Sequence, residues 1–221
     1  QLGAMLTEVL AQLHAVDPAA VGLDDLGKPQ GFLTRTIEGW AKRAGLAVEG
    51  WATPTITQLI AEIPAWLRAQ KVPEGRISFL HNDFKLDNVL LDPKTLAPVA
   101  VLDWDQGTRG DPLFDLATLL SYWTEAGDPP AMHLMAQMPT AGPGFPTRRE
   151  AAEAYARVAN ADLSDFAFYR VLATFKTAVI FAQLYARYHA GGTTEPRYAR
   201  FNELTEGLLV FAHDIAHNRA F

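Results

Sequence analysis

The stretch Ile77–Tyr122, ISFLHNDFKLDNVLLDPKTLAPVAVLDWDQGTRGDPLFDLATLLSY, decides how the rest of the sequence is read. Ile77 to Leu80, Val89 to Leu91 and Val99 to Leu102 are short apolar runs. Runs of that length, rich in β-branched residues and bounded by turn signals, predict buried strands. Asp92-Pro93-Lys94 supplies the turn between the second and third. Polar residues stand at the strand ends: His81 and Asp83 after the first, Asn88 before the second, Asp103 and Asp105 after the third. A β-hairpin would gather those ends, so Asp83, Asn88 and Asp103 are expected to converge. Carboxylates and an amide carbonyl suit Mg²⁺, whose other ligands are usually waters and substrate phosphates. Taken singly, each of these residues could be an ordinary turn or cap residue. The whole set at these spacings points to a site.

Working outward, the sequence after Asp103 reaches Asp111-Pro112, an N-cap followed by proline at the first helical position. Leu113, Leu116, Ala117 and Leu120 give that helix an apolar face, and Asp115 complements the dipole in its first turn. Arg109 could meet a phosphate or pair with an acid, and the pair is expected. Upstream, Leu2 to Val16 repeats apolar residues at helical spacing and ends at Asp17-Pro18. His14 in it reads as a packed or capping residue. Pro29 to Gly45 and Thr55 to Ala69 predict two further helices, the latter with Thr57 as a possible N-cap and Pro64 as a possible break. Val72-Pro73-Glu74-Gly75 is the turn into the opening stretch. Downstream, Met132, Met135 and Met138 suggest a short helix bordering a pocket or filling a core. Thr147 and Glu150 form a capping-box pattern for a helix to Val158. Ser164 or Asp165 begins a long apolar helix to Tyr188, stopped at Gly191-Gly192. Glu195 to Asn218 is the last helix. His213 and His217 are spaced i, i+4, but no Glu follows His213, so a solvated helix end is the better reading than a metal site.

Composition bounds the function classes. The 221 residues are 49% hydrophobic and 20% charged, which suits one substantial globular domain. With no cysteine, disulfides and thiolate metal sites are excluded. No apolar run approaches the ~20 residues of a membrane span, and no secretory leader is expected. A net charge of −6 without a dense Lys/Arg cluster argues against nucleic acid and anionic membrane as partners. A cytoplasmic location is expected.

His81-Asn82-Asp83-Phe84-Lys85-Leu86-Asp87-Asn88 resembles the catalytic loop of the protein-kinase superfamily. It is most similar to small-molecule kinases of the aminoglycoside phosphotransferase and choline kinase type, in the branch related to kinase domains fused to acyl-CoA dehydrogenases. Val101-Leu102-Asp103-Trp104-Asp105, Gly110-Asp111-Pro112 and Asp115-Leu116-Ala117 extend the likeness, which covers Phe79 to Leu120. The resemblance implies a mainly α fold with a small β-hairpin element, the C-terminal lobe of the protein-kinase-like fold, as a single domain over residues 1–221. Within it, 77–122 would carry the catalytic and metal loops and 123–221 a helical acceptor side.

The roles it implies are specific. Asp83 would take or orient the proton of a substrate hydroxyl, and Asn88 and Asp103 would hold Mg²⁺ against the phosphates of ATP. Lys85 would meet the transferred phosphate or stand as an exposed turn lysine. Asp105, where protein kinases have glycine, would be a further metal or substrate contact or a loop anchor. His81 and Asp115 would brace the two loops. The implied activity is ATP-dependent phosphoryl transfer to a hydroxyl of a small molecule: an aminoglycoside, an amino alcohol, or a hydroxy acid or its acyl derivative. Such kinases also have an N-terminal lobe with a Gly-rich loop and a strand lysine, neither of which precedes His81. The chain is therefore expected to be a C-terminal lobe separated from its N-terminal lobe by engineering, proteolysis or natural truncation, and inactive alone. The rivals are a non-catalytic binding or regulatory module and a metal-dependent phosphatase using the same acids.

Overall fold

The computed structural model describes residues 2–73 and 75–221, so Glu74 of the expected turn lies outside it. In chain order the elements are α1 (Leu2–Ala15), α2 (Phe32–Ala47), α3 (Pro54–Ala69), β1 (Ser78–Leu80), β2 (Val89–Leu91), β3 (Pro98–Val101), β4 (Thr108–Gly110), α4 (Pro112–Ser121), α5 (Pro130–Met135), α6 (Arg148–Ala159), α7 (Phe166–His189) and α8 (Phe201–Ala216). The fold is mainly helical with two small antiparallel strand pairs. Contacts group it into two compact units, the first made of Gln1–Phe32, Pro73–Gly127 and Ala136–Phe166, the second of Leu33–Val72, Asp128–Met135 and Ala167–Phe221.

In the first unit, α1 packs on α6 and also touches β1 and α4. Leu6 and Leu10 of α1 and Ala152 and Tyr155 of α6 are fully buried, as helical spacing requires of a core-facing stripe. The capping box of α6 is present, Thr147 accepting from the N–H of Glu150 while Glu150 reaches back to the N–H of Thr147. α4 starts as its sequence signals: Asp111 Oδ1 accepts from the N–H of Leu113 at 2.9 Å, with Pro112 in the first turn. Two strand pairs stand beside these helices. β2 and β3 form the expected hairpin, though not as buried strands, since Leu90 and Val99 are exposed, and β1 pairs with β4, a strand the sequence pattern does not announce. A Cβ on Gly110 would lie 2.7 Å from the ring of Phe32, so β4 can cover that ring only by ending in glycine.

In the second unit, α8 packs against both α3 and α5. The N-cap of α3 is Thr53, not Thr57: its hydroxyl accepts from the N–H of Ile56 at 3.1 Å, and Pro54 takes the first helical position. Thr57 instead donates to the carbonyl of Thr53 at 3.0 Å. Pro64 is buried inside α3 and does not end it, because Ile56, Leu59, Ile63 and Leu67 bury one face along its whole length. That burial outweighs a proline cost of about 3 kcal/mol. Residues 168–179 of α7 are buried without interruption. The last helix is shorter than expected: Pro196–Arg200 form a 3-10 turn, and Arg200 leaves helical geometry (φ −108°, ψ 13°) before α8 begins. At the far end of α8 the rings of His213 and His217 lie 4.2 Å apart, and His213 approaches Glu62 at 3.7 Å. Among the described residues no helix is long and apolar enough to cross a membrane.

Candidate active site

The two strand ladders explain how residues far apart in sequence meet. Val89 pairs with Val101, and the N–H of Leu102 donates to the carbonyl of Asn88 at 2.8 Å, so Asn88 stands across from Leu102 and beside Asp103. The turn is closed by Asp92, whose Oδ1 accepts from the N–H groups of Lys94 and Thr95. Leu80 pairs with Thr108, which brings the loop beginning at His81 against the loop ending at Gly107. His81 ties the loops together. Its Nδ1 accepts from the N–H of Asp83 at 3.2 Å, so Nε2 carries the proton and donates to the carbonyl of Leu102 at 2.8 Å. Trp104 fills the space between them, its ring 5.1 Å from Phe79 and 4.7 Å from His81. Each loop turns on a non-glycine residue in the left-handed region, Asn82 at φ 63° and Asp103 at φ 61°. Asn and Asp bear that geometry better than other side chains, and such positions concentrate at functional sites.

Behind the first loop lies a buried chain of hydrogen bonds. Asp115 accepts from the N–H of His81 at 2.6 Å and of Asn82 at 2.8 Å. His14 Nε2 lies 3.2 Å from Asp115 Oδ2, and His14 Nδ1 lies 2.6 Å from the Tyr155 hydroxyl. Burial pushes the Tyr155 phenol up, so it keeps its proton and donates to Nδ1, leaving Nε2–H for Asp115. Burial also pushes the Asp115 carboxyl up, but the hydrogen bonds from His14 and from the N–H of His81 outweigh this and hold it below its ordinary value. His14 is thus packed, as expected, and its packing reaches the loop.

At the front, the Asp83 carboxylate is held at both oxygens. The Tyr122 hydroxyl donates to Oδ1 at 2.8 Å, and the Lys85 ammonium donates to Oδ2 at 2.6 Å. Asn88 Nδ2 donates to the Asp83 carbonyl at 2.8 Å and lies 3.4 Å from Oδ2. Lys85 is not an exposed turn lysine: its side chain is 16% exposed, and its ammonium sits 5.1 Å from the centre of the Tyr122 ring. Met138 closes the back of the loop, its sulfur accepting from the N–H of Leu86 at 3.4 Å.

The structure therefore joins Asp83, Lys85 and Asn88 directly, sets Asp103 beside Asn88 through the hairpin register, and braces the whole on His81 and Asp115. Asp103 and Asp105 are exposed, and among the described residues neither carboxylate has a hydrogen-bond or ion-pair partner. No three acidic or imidazole side chains among the described residues gather on one point. The Asn88 amide spends its nitrogen on Asp83, which leaves its oxygen for another partner beside Asp103. An amide oxygen and a carboxylate oxygen fit a Mg²⁺ ion that keeps waters and phosphates for the rest of its shell. Arg109 departs from the expected acid pair, since among the described residues its Nε donates to the carbonyl of Leu26 at 2.7 Å and no acid meets it. Tyr122 is the site residue the sequence reading passes over. Its signal was spacing: Asp115 and Tyr122 are seven apart, two helical turns, so both face the loop from His81 to Asn88.

The profile of the phosphotransferase enzyme family matches residues 1–170 of this chain. The chain belongs to that family. It is 30% identical over 218 residues to acyl-CoA dehydrogenase family member 10 of Mus musculus, covering 98% of this chain and 20% of that protein. It is 32% identical over 192 residues to acyl-CoA dehydrogenase family member 11 of Rattus norvegicus, covering 86% of this chain and 24% of that protein. The chain thus spans a fifth to a quarter of the length of these relatives. A solved structure from Ralstonia eutropha, provisionally named an aminoglycoside phosphotransferase, superposes with a TM-score of 0.77 at 26% identity, over 96% of this chain and 65% of that one. Choline kinase from Cryptosporidium parvum superposes at a TM-score of 0.56 and 11% identity, over 99% of this chain and 66% of that one, and shares the fold.

Proposed function

We propose that this chain carries the catalytic and metal loops of a small-molecule kinase, which moves the γ-phosphoryl group of ATP to a hydroxyl of its acceptor. The observation that carries this reading is the assembly on Asp83: a carboxylate fixed by Tyr122, paired with a lysine and backed by Asn88, one hairpin step from Asp103. A general base must be held where it meets the proton, and a cation must be at hand for the charge of the transferring group. In our reading Asp83 takes the acceptor's proton and Lys85 faces the transferring phosphate. Asn88 and Asp103 would hold Mg²⁺, with Asp105 as a further contact from the same loop. Mg²⁺ would supply charge neutralisation to the nucleotide phosphates. Leu90, half exposed, shares a hairpin face with Ala100 and Leu102, and this apolar surface beside the metal pair suits the base of a nucleotide. The further lobe expected of such kinases would cover it.

The test uses the gene product at its native length. ADP release is followed with Mg·ATP and a panel of aminoglycosides, amino alcohols and hydroxyacyl compounds. Asp83→Ala is expected to fold, to bind Mg·ATP and to lose about 10²- to 10⁴-fold in kcat, the usual worth of a general base. Near-normal turnover by that variant would overturn the assignment.

A further inference from the structure

Lys85 and Tyr122 do not hold Asp83 in the same way. Lys85 bonds the oxygen that also faces the Asn88 amide, the side from which metal and phosphate are reached in the reading above. Tyr122 bonds the other oxygen. The tyrosine is 5% exposed and cannot leave without dismantling the end of α4, whereas the lysine lies along the tyrosine ring on a flexible stem. Burial, with the nearby Asp83 charge and the hydrogen bond to it, pushes the Tyr122 phenol well up. The hydroxyl therefore always has a proton to give Oδ1.

We propose, resting on the phosphoryl-transfer reading above, that Tyr122 is a positioning residue for the reaction: its hydroxyl locks Oδ1 of Asp83 and its ring face carries the Lys85 ammonium, which makes Oδ2 the oxygen that takes the acceptor's proton. A free carboxylate can rotate and offer either oxygen in several directions. One oxygen fixed from a buried phenol leaves a single oxygen aimed at the phosphate side. The step then balances as follows. The acceptor oxygen forms its bond to phosphorus, its proton passes to Oδ2, and the bond to the departing nucleoside diphosphate breaks with the electron pair leaving on the diphosphate. During this step Lys85 exchanges Oδ2 for the transferring phosphoryl oxygens, a movement of its ammonium that the ring guides and the hydroxyl survives. Tyr122 keeps its place, so the base does not turn when its counterion departs.

The experiment is a mutant cycle on the native-length protein, reading kcat and KM for ADP release with water or the fastest panel acceptor. Tyr122→Phe keeps the ring and is expected to lower kcat about tenfold to a hundredfold, the worth of a hydrogen bond to a charged group, at a nucleotide KM unchanged within about twofold. Placed on Asp83→Ala, the same change is expected to have no further effect, because the hydroxyl then has nothing to orient. Lys85→Met checks the ring half without touching the buried tyrosine, and Tyr122→Leu is expected to combine both losses. Full turnover by Tyr122→Phe, with Asp83→Ala dead, would overturn the proposal and leave the base assignment standing. An equal loss in both backgrounds would reduce Tyr122 to packing and overturn it too. Normal turnover by Asp83→Ala would sink the kinase reading first, and total absence of ADP release from the unaltered protein would do the same.

Discussion

The two loops of the site carry acids in opposite circumstances. In the loop from His81 to Asn88, both carboxylate oxygens of Asp83 are bonded, by Tyr122 and Lys85, and Asp115 beneath the loop is held by two backbone N–H groups and His14, while Asp87 faces solvent. In the loop from Asp103 to Gly107, Asp103 and Asp105 stand exposed with no partner among the described residues. In the function proposed above, the difference separates two demands of phosphoryl transfer. A base must have one fixed direction, so the chain spends buried groups on holding it. A metal ligand must keep its lone pairs for the ion, so the chain fixes only its backbone, through the hairpin, the left-handed turn at Asp103 and the packing of Trp104. One loop is organised through its side chains and the other through its main chain.

If that contrast is right, the largest loss of stability comes from the pinned side. Asp115→Asn removes the charge that His14 and two buried N–H groups converge on, and an amide cannot accept from all three. Breaking a buried pair by removing one partner costs about 3–5 kcal/mol, and we expect a loss near the lower figure, because the amide keeps one acceptor oxygen. Urea unfolding of the variant against the unaltered chain checks this, and a shift below about 1 kcal/mol would mean that the chain of bonds behind the loop contributes little.

A smaller effect follows from the same carboxyl on acidification. Its native pKa lies below the ordinary 3.8, so it stabilises the fold fully above that value and loses this contribution as pH falls through the lowered one. Glu38, Asp92, Glu150 and Glu203 are also held low and titrate in the same region, so the stability of the unaltered chain alone does not isolate Asp115. The gap between the unaltered chain and Asp115→Asn does. It should be flat above about pH 5 and narrow below the ordinary 3.8. A gap that stays constant to lower pH would place the loss in packing instead of charge.

What the sequence disclosed follows the same division. The hairpin of β2 and β3, the Asp111-Pro112 start of α4 and the capping box of α6 were readable because each is local: a turn, a cap or a period within a dozen residues. The proposed site set His81, Asp83, Lys85, Asn88, Asp103 and Asp115 could be named from the sequence because the loops that carry it resemble those of a known family at fixed spacing. The pairing of β4 with β1 was not, since Thr108-Arg109-Gly110 has no strand pattern of its own and is a strand only through its partner. The Pro64 doubt failed because propensity was set against a buried face whose extent only packing reveals. His14 was correctly read as packed, yet its tie to Asp115, 101 residues away, and to Tyr155, 141 away, lies beyond any local pattern. Among the described residues Arg109 meets a carbonyl and no acid, and a carbonyl that accepts from a guanidinium has no signature in sequence.

The smallest effect on stability is expected on the exposed side, and it tests the comparison most sharply. Asp103→Asn removes a carboxylate that bonds nothing among the described residues, and asparagine tolerates the left-handed backbone as well as aspartate does. Thermal unfolding of the variant should therefore coincide with that of the unaltered chain. Calorimetric titration of the native-length protein with Mg·ATP should nonetheless weaken at least tenfold, because a neutral amide replaces the anionic ligand of the pair. Asp105→Asn, made alongside, should also leave unfolding unchanged. If it weakens Mg·ATP binding as much as Asp103→Asn, it is a true ligand of the ion, and if binding is unaltered it is a loop residue that only shares the exposure. A drop in melting temperature for Asp103→Asn would break the comparison itself, since it would mean that the carboxylate holds the loop together, as Asp115 does on the other side.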